Sequence, residues 1–407
     1  MRKMADLIQI LGLIVLTGCN VAGEDASDGV LLSESDTTSE VSVDNASDIS
    51  VDKVSIDNVS SYQLQKTTLH VDRRGGINGS PCSCFYHAMA YADFDGDGDV
   101  DIFLSGGNGT DLPSAVEIHL NDGAGNFTLD KSLIHGSEPG VIHPRKAILG
   151  DYNGDDQLDI LVVGHGYDQP PFPGERPLLF LTTANGLEYS TSLEAYSGFF
   201  HSAASADIDN DGDLDILIGD TKVPFMLIND ALGGFTQDLA RLTSELNNQQ
   251  FYTSELIDID QDGYIDLIAA GHEFETMATV IYWGSASGTY LATNKTLLPE
   301  VVGQGVILDI DAEDLDGDGR SDIVLTRTGG GNDNFYVGYY LQLIENNGDR
   351  QFSDSTSNIA ENSSTENGWI DWIRIQDYNS DGYLDIIEDN NSPALVWLNN
   401  GNGEFTR

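Results

Sequence analysis

Asp93-Phe94-Asp95-Gly96-Asp97-Gly98-Asp99-Val100-Asp101-Ile102 is the stretch whose reading decides the fold. Carboxylates fall at alternate positions, glycines allow a sharp turn, and the last Asp opens an apolar run. Five further copies begin at Asp151, Asp207, Asp258, Asp314 and Asp377, spaced 58, 56, 51, 56 and 63 residues from first Asp to first Asp. Recurrence at a fixed period marks a repeat architecture, so length alone does not count domains here.

Positions 1, 3, 5 and 9 of each copy offer side chains, and position 7 can offer its carbonyl. The sets are Asp93/Asp95/Asp97/Asp99/Asp101, Asp151/Asn153/Asp155/Gln157/Asp159 and Asp207/Asp209/Asp211/Asp213/Asp215. The later three are Asp258/Asp260/Asp262/Tyr264/Asp266, Asp314/Asp316/Asp318/Arg320/Asp322 and Asp377/Asn379/Asp381/Tyr383/Asp385. Clustered carboxylates repel one another strongly without a cation. Calcium, a hard ion with six to eight oxygen ligands, suits them better than magnesium, which keeps its waters. Six structural Ca²⁺ ions are expected; six near-identical saturated sites leave no open catalytic position. Glycine fills position 6 except in the second copy, where Asp156 stands. An EF-hand is excluded, because it needs a bidentate Glu at position twelve and flanking helices.

Around each Asp loop the chain reads apolar strand, loop, apolar strand, variable loop, and a third strand ending in an Asn/Gly turn. A fourth strand then opens on an aromatic. Val116 to Phe127 and Val396 to Phe405 show the pattern, with Asn-Asp-Gly and Asn-Gly as hairpin signals. Four strands plus loops fit the period, which favours propeller blades over the shorter turns of a β-solenoid. With 44 glycines and 40% hydrophobic residues, the chain is read as all-β, a propeller of six four-stranded blades. Tyr62–Leu69 resembles the fourth strand at Phe127–Ile134, and is expected to complete the final blade, since the chain stops at Arg407.

These loops, with their trailing "LNNGNGEF"-type turns, resemble the FG-GAP/VCBS repeats of integrin-α-like β-propellers. The resemblance covers residues 61–407. It implies metal loops on one end of the propeller, joining first and second strands, and the starts of the first strands at the other end near the axis. Six residues before each loop stand His87, Arg145, His201, Tyr252, Leu308 and Asp371. Loops following the second strands bring His165, Asp220, His272 and Arg327 to that same end, and Trp369 lies beside Asp371. Aromatics that stack on a ligand, with Arg and carboxylates that orient it, make this the candidate ligand face. A solvated channel lined by mixed polar residues is the plainer alternative.

Residues 1–18 read as a signal peptide: Arg2 and Lys3, then an apolar run from Leu7 to Leu16 too short to span a bilayer comfortably. Leu16-Thr17-Gly18-Cys19 resembles a bacterial lipobox, which implies lipid on Cys19 and a cell-envelope protein held at an outer membrane or cell surface by that anchor alone. Residues 19–60 carry ten acidic residues, one Lys and no aromatic, and read as a disordered tether. Only Cys82 and Cys84 remain, as a local bridge or two thiols. A net charge of −49, which six Ca²⁺ ions of charge +2 would bring to −37, argues against nucleic acid or anionic lipid partners. The chain has no G-x-S-x-G, H-E-x-x-H or nucleotide loop. The expected activity is binding of a protein or glycan ligand; a lyase-like polysaccharide enzyme on the face opposite the loops is the alternative, and a purely structural envelope subunit a third.

Overall fold

The computed structural model describes residues 85–107, 110–137, 140–329, 336–366, 368–388 and 394–407, with the side chains of residues 85–87 excepted. The signal stretch, Cys19, the tether, Tyr62–Leu69, Cys82, Cys84 and the side chain of His87 lie outside them. No helix among the described residues is long and apolar enough to cross a membrane.

Six antiparallel sheets follow one another along the chain, and together they form a six-bladed propeller. The first strands are Phe85–Ala92, Pro144–Gly150, Phe200–Ala206, Phe251–Ile257, Val306–Glu313 and Ile373–Gln376. Consecutive first strands pack side by side, which puts them innermost. The second strands begin at position 9 of each Asp loop: Asp101–Gly107, Asp159–Gly164, Asp215–Asp220, Asp266–Gly271, Asp322–Thr328 and Asp385–Glu388. All of their residues are buried. Their continuous apolar runs are what a strand needs when both faces of its sheet are covered. Five hydrophobic clusters provide that cover, one at each junction from blades 1 and 2 to blades 5 and 6. Between blades 6 and 1 the Arg374 guanidinium lies 5.5 Å from the Tyr91 ring centre.

Two sheets gain a fifth strand: Ile134–His135 runs parallel to Gly186–Ser190 in blade 2, and Ser363–Ser364 pairs with Tyr339–Asn346 in blade 5. The last blade differs from the sequence expectation. Its fourth position is filled by the C-terminal Phe405–Thr406, paired with Val396–Asn399. Phe405 opens it, as Phe127, Phe235 and Phe352 open the fourth strands of blades 1, 3 and 5.

Candidate functional site

The Asp loops share one backbone design. In all six, the position 6 amide donates to a carboxylate oxygen of position 1, at 2.8–3.0 Å. In all six, the position 7 amide donates to position 5, at 2.9–3.2 Å. Positions 4 and 6 both take left-handed backbone; Gly98, Gly212, Gly263, Gly319 and Gly382 adopt it freely, and Asp156 does so at φ 63°. Position 4 escaped the sequence reading, because Asn210, Gln261 and Ser380 stand there as often as glycine.

Position 9 does something different. Asp101 accepts Phe94 N and Asn121 N through its two oxygens, both at 2.8 Å. Asp159, Asp215, Asp266 and Asp385 repeat this, each holding the position 2 amide and an amide at the end of the third strand. Burial pushes the carboxyls of Asp101, Asp159, Asp215, Asp266 and Asp322 up to about 7.

Four loops bring three carboxylate oxygens within 4.8 Å of one another: Asp93/Asp95/Asp101, Asp207/Asp209/Asp215, Asp258/Asp260/Asp262 and Asp314/Asp316/Asp318. The second and sixth place Asn153 and Asn379 in the matching position. An all-oxygen, hard donor set of this kind fits a divalent cation such as calcium. Arginines share some of these carboxylates. Arg241 donates to Asp209 at 2.8 Å, Arg350 to Asp260 and Asp262 at 2.5 and 3.1 Å, and Arg320 to Asp318. Loop one has no such arginine among the described residues, and at position 7 it adds Asp99.

Other residues assigned to the loops from sequence stand outside these triads. Asp97, Asp211 and Asp381, all at position 5, are exposed. Each spends its carboxylate on its own turn: Asp97 accepts Asp99 N at 2.9 Å, Asp211 accepts Asp213 N at 3.2 Å, and Asp381 accepts Tyr383 N at 3.0 Å and Asn379 Nδ2 at 2.9 Å. In loop three Asp211 stands apart from the triad, and in loop six Asp381 accepts from Asn379. Position 7 was expected to act through its backbone carbonyl, and its side chains vary from loop to loop. Tyr264 and Tyr383 share with Gln157, Asp213 and Arg320 only the amide bond to position 5. Tyr264 is half-buried, and the exposed Tyr383 lays its ring against the turn at Gly401. Arg320 turns its guanidinium to Asn346 O at 2.7 Å, and a cation cannot ligate a cation. What varies at position 7 is therefore what the turn packs on, while the carbonyl is the one group that all six loops can offer an ion.

At the other end of the first strands lies a second repeated feature. Pairing with the second strand slips at His87, Arg145, His201, Tyr252 and Leu308, each six residues before its loop. A bulge leaves one residue unpaired and re-aims its side chain. Blades 2 to 5 therefore turn one innermost side chain out of the ladder at the same level. In blade 6 the strand starts later, at Ile373, and Asp371 precedes it.

The re-aimed side chains meet. His143 and His165 have ring centres 4.0 Å apart, His165 and His201 4.7 Å, His201 and Tyr252 4.2 Å, Tyr252 and His272 4.1 Å, His272 and Phe274 5.1 Å. His201 and Tyr252 are nearly parallel, at 6°. Phe199 stacks on His165 at 4.5 Å, and Tyr336 and Trp369 pair at 5.0 Å. The stack runs from blade 2 to blade 4. His165, His201 and His272 are buried, whereas His143, Phe199, Tyr252, Phe274, Tyr336 and Trp369 are half-buried.

Burial keeps the histidines neutral. It lowers His143 to about 3, with Arg145 adding to the effect, and His272 to about 4; His165 and His201 are also driven down by burial and by neighbouring cationic groups. Burial pushes the Tyr252 phenol up, and Tyr336 up to about 12. His165 Nδ1 lies 3.0 Å from Gly166 O, while His201 Nδ1 is buried with no hydrogen-bond partner among the described residues. One residue deeper along the first strands is a floor. Lys146 faces Asp309 at 4.0 Å, Asp309 accepts Ile373 N, and Trp372 lies under the Arg145 guanidinium at 5.4 Å.

Two of the sequence candidates for this face, Arg327 and Asp220, have other partners. Arg327 is fully buried and forms an ion pair with Glu273 at 2.7 Å, donating also to Gln342, Gln304 O and Pro299 O. It ties blade 5 to the loop of blade 4 and does not reach the ring stack. Asp220 accepts Lys222 N and orders its own loop. Asp371 is buried near Tyr336. Phe199, Phe274, Tyr336 and Trp372 belong to the cluster, and the sequence reading missed them. Only the doublet Phe199-Phe200 beside His201 could have hinted at one of them. A separate open groove of about 560 Å³ lies at the rim of blade 2, against Asn153, Asp155 and Gln157. It holds neither a buried cation nor a ring stack, so the axis is the stronger site.

An FG-GAP-like repeat family matches residues 93–162, 258–325 and 314–388, so the chain carries FG-GAP-like repeats. Among solved structures, the chain is similar to a lectin from Agrocybe aegerita that recognises non-reducing terminal N-acetylglucosamine. Identity is 18%, the TM-score 0.50, and coverage 78% of this chain and 79% of that one. A biofilm matrix protein of V. cholerae aligns at 17% identity and a TM-score of 0.39, over 71% of this chain and 40% of that one. An exo-β-1,3-galactanase from Clostridium thermocellum aligns at 14% and 0.37, over 82% and 76%. No curated protein matches.

Proposed function

We propose that this six-bladed propeller of FG-GAP-like repeats is a glycan-binding protein of the cell envelope, stabilised by calcium in its Asp loops and held by a lipid on Cys19. The observation that carries the glycan reading is the ring stack at the axis, from His143 to Phe274, with Tyr336 and Trp369 nearby. Half-buried aromatic faces suit the C–H faces of a sugar, and the polar groups between them suit its hydroxyls. The reading rests on these side chains and not on the shared fold, which hosts many activities. In the calcium reading, position 1, 3, 5 and 9 side chains hold the ion together with the position 7 carbonyl. Its charge offsets the repulsion among the carboxylates, and would draw in Asp211 and Asp381. The acidic tether would hold the propeller away from the membrane.

A glycan array with calcium present tests the proposal, with Tyr252→Ala and Trp369→Ala as variants. Retained glycans should be lost in both variants while their melting temperatures stay near the parent's. If no glycan binds, or if both variants bind as the parent does, the reading fails. The imidazole of His201 stacked 4.2 Å from the Tyr252 ring favours a second reading, in which this pair moves a proton to or from a bound sugar. Release of unsaturated sugar products from polysaccharides, abolished in His201→Gln, would favour that lyase-like enzyme.

A further inference from the structure

We infer that the axial site takes a sugar bearing a single carboxylate, with Arg145 as the residue that reads the acid group. This rests on the glycan reading above and narrows it. Arg145 is nine-tenths buried, at the bulge that opens blade 2. Its guanidinium lies over Trp372. It forms no ion pair or side-chain hydrogen bond among the described residues, and its Nε is buried without a partner. An arginine cannot shed its proton in a protein, so a buried guanidinium without an anion is a standing cost. The buried Arg327 shows how this chain treats the same problem where no ligand is involved: a carboxylate, an amide oxygen and two carbonyls surround it.

Among the described residues no carboxylate forms an ion pair with Arg145. The carboxylate of Asp309, one residue deeper, is already taken by Lys146. Asp371 and the exposed Asp168 share the Tyr336 neighbourhood, yet neither is an ion-pair partner of Arg145. The planar fork of a guanidinium matches a carboxylate through two parallel bonds. Stacked rings beside it, and the unpartnered His201 Nδ1, fit the sugar ring and a hydroxyl. The chain's net charge of −49 selects further. A densely charged polyanion is repelled strongly by such a field, whereas one carboxylate on a largely neutral glycan is repelled far less.

The test uses the calcium-loaded protein and titration calorimetry with D-glucuronate, D-galacturonate, their methyl esters, D-glucose and D-galactose. At least one uronate should bind about tenfold or more tightly than its ester, as expected for losing a charge-assisted pair. Arg145→Gln should abolish that preference while leaving the weaker ester binding in place; Arg145→Lys should restore part of it. If ester and acid bind alike to the parent protein, the carboxylate inference is overturned and the glycan reading stands. If the acids are preferred but Arg145→Gln, with a normal melt, keeps the preference, Arg145 is not the reader. Should no sugar or glycan bind at all, both fail. The acid-against-ester comparison on the parent protein decides the matter even if the variants do not fold.

Discussion

Asn229 serves two blades with one amide group. Its side-chain nitrogen donates to Leu214 O in its own blade and to Tyr152 O in the Asp loop of the blade before, both at 3.0 Å. Asn346 and Asn399 do the same toward Ile259 O and Leu315 O. In the sequence these asparagines read as turn residues, which they also are. Their reach into a neighbouring repeat was not legible, because nothing local marks it. Asn229→Ala would strand two buried carbonyls, at a cost of about 1–3 kcal/mol. Denaturant unfolding should show that loss, and Asn402→Ala, at an exposed turn position, should show almost none. Arg327→Gln tests the corrected role of another residue. Breaking its buried pair with Glu273 should cost about 3–5 kcal/mol of stability. Glycan binding by the folded fraction should be unchanged; a selective loss of binding would return Arg327 to the ligand face.

At the scale of the element, the Asp loop and the axial bulge differ in how plainly they are written. The loop announces itself through alternate carboxylates, although spacing alone treats Asp211 and Asp209 as equals when only Asp209 joins a triad. The bulge sits at residues as unlike as Arg145, Tyr252 and Leu308, and only in blade 2 does a proline, Pro144, stand beside it. Counting back six residues from the loop found the positions, but not why they leave the ladder. The ring stack they build has a pH dependence of definite sign. His272 is held near 4 in the folded protein against 6.5 for a free imidazole, so between those values the unfolded chain binds more protons. Its contribution is complete above pH 6.5 and is lost as pH falls toward 4. Each such histidine gives a slope of about 1.4 kcal/mol per pH unit in that window. His272→Asn should melt with a shallower fall than the parent between pH 6.5 and 5; parallel curves would refute the burial account. The loops should also differ among themselves. Arg350 offsets part of the charge of loop four, while loop one has no arginine of its own among the described residues. Under chelation, hydrogen exchange should therefore rise more in residues 93–101 than in 258–266.

On the calcium reading, the whole molecule depends on six ions to hold 22 aspartates together in a chain of charge −49. Chelation should lower the melting temperature by well over the 2–4 °C or so that 1 kcal/mol represents at this size. An unchanged melt would remove the ions from the account of stability. Blade count and strand order were readable because the period is long, regular and complete. At the closure the last sheet holds Phe405–Thr406, and Tyr62–Leu69 lies outside the described residues. Deleting residues 61–70 checks whether that segment still contributes, and a sharply lower melting temperature is the expected result.

The asparagine bonds between blades have a consequence in time. They join residues 77, 87 and 84 positions apart, always from a later repeat back to the loop of the one before. On a ribosome, the loop of blade 2 therefore waits for the third strand of blade 3 to emerge, and blade 5 waits for the final residues of the chain. Blades 2, 4 and 5 are each sealed in this way by their successor. A nascent chain cut short just after blade 2, 4 or 5 would carry an unsealed loop at its growing end, open to a protease that samples such loops.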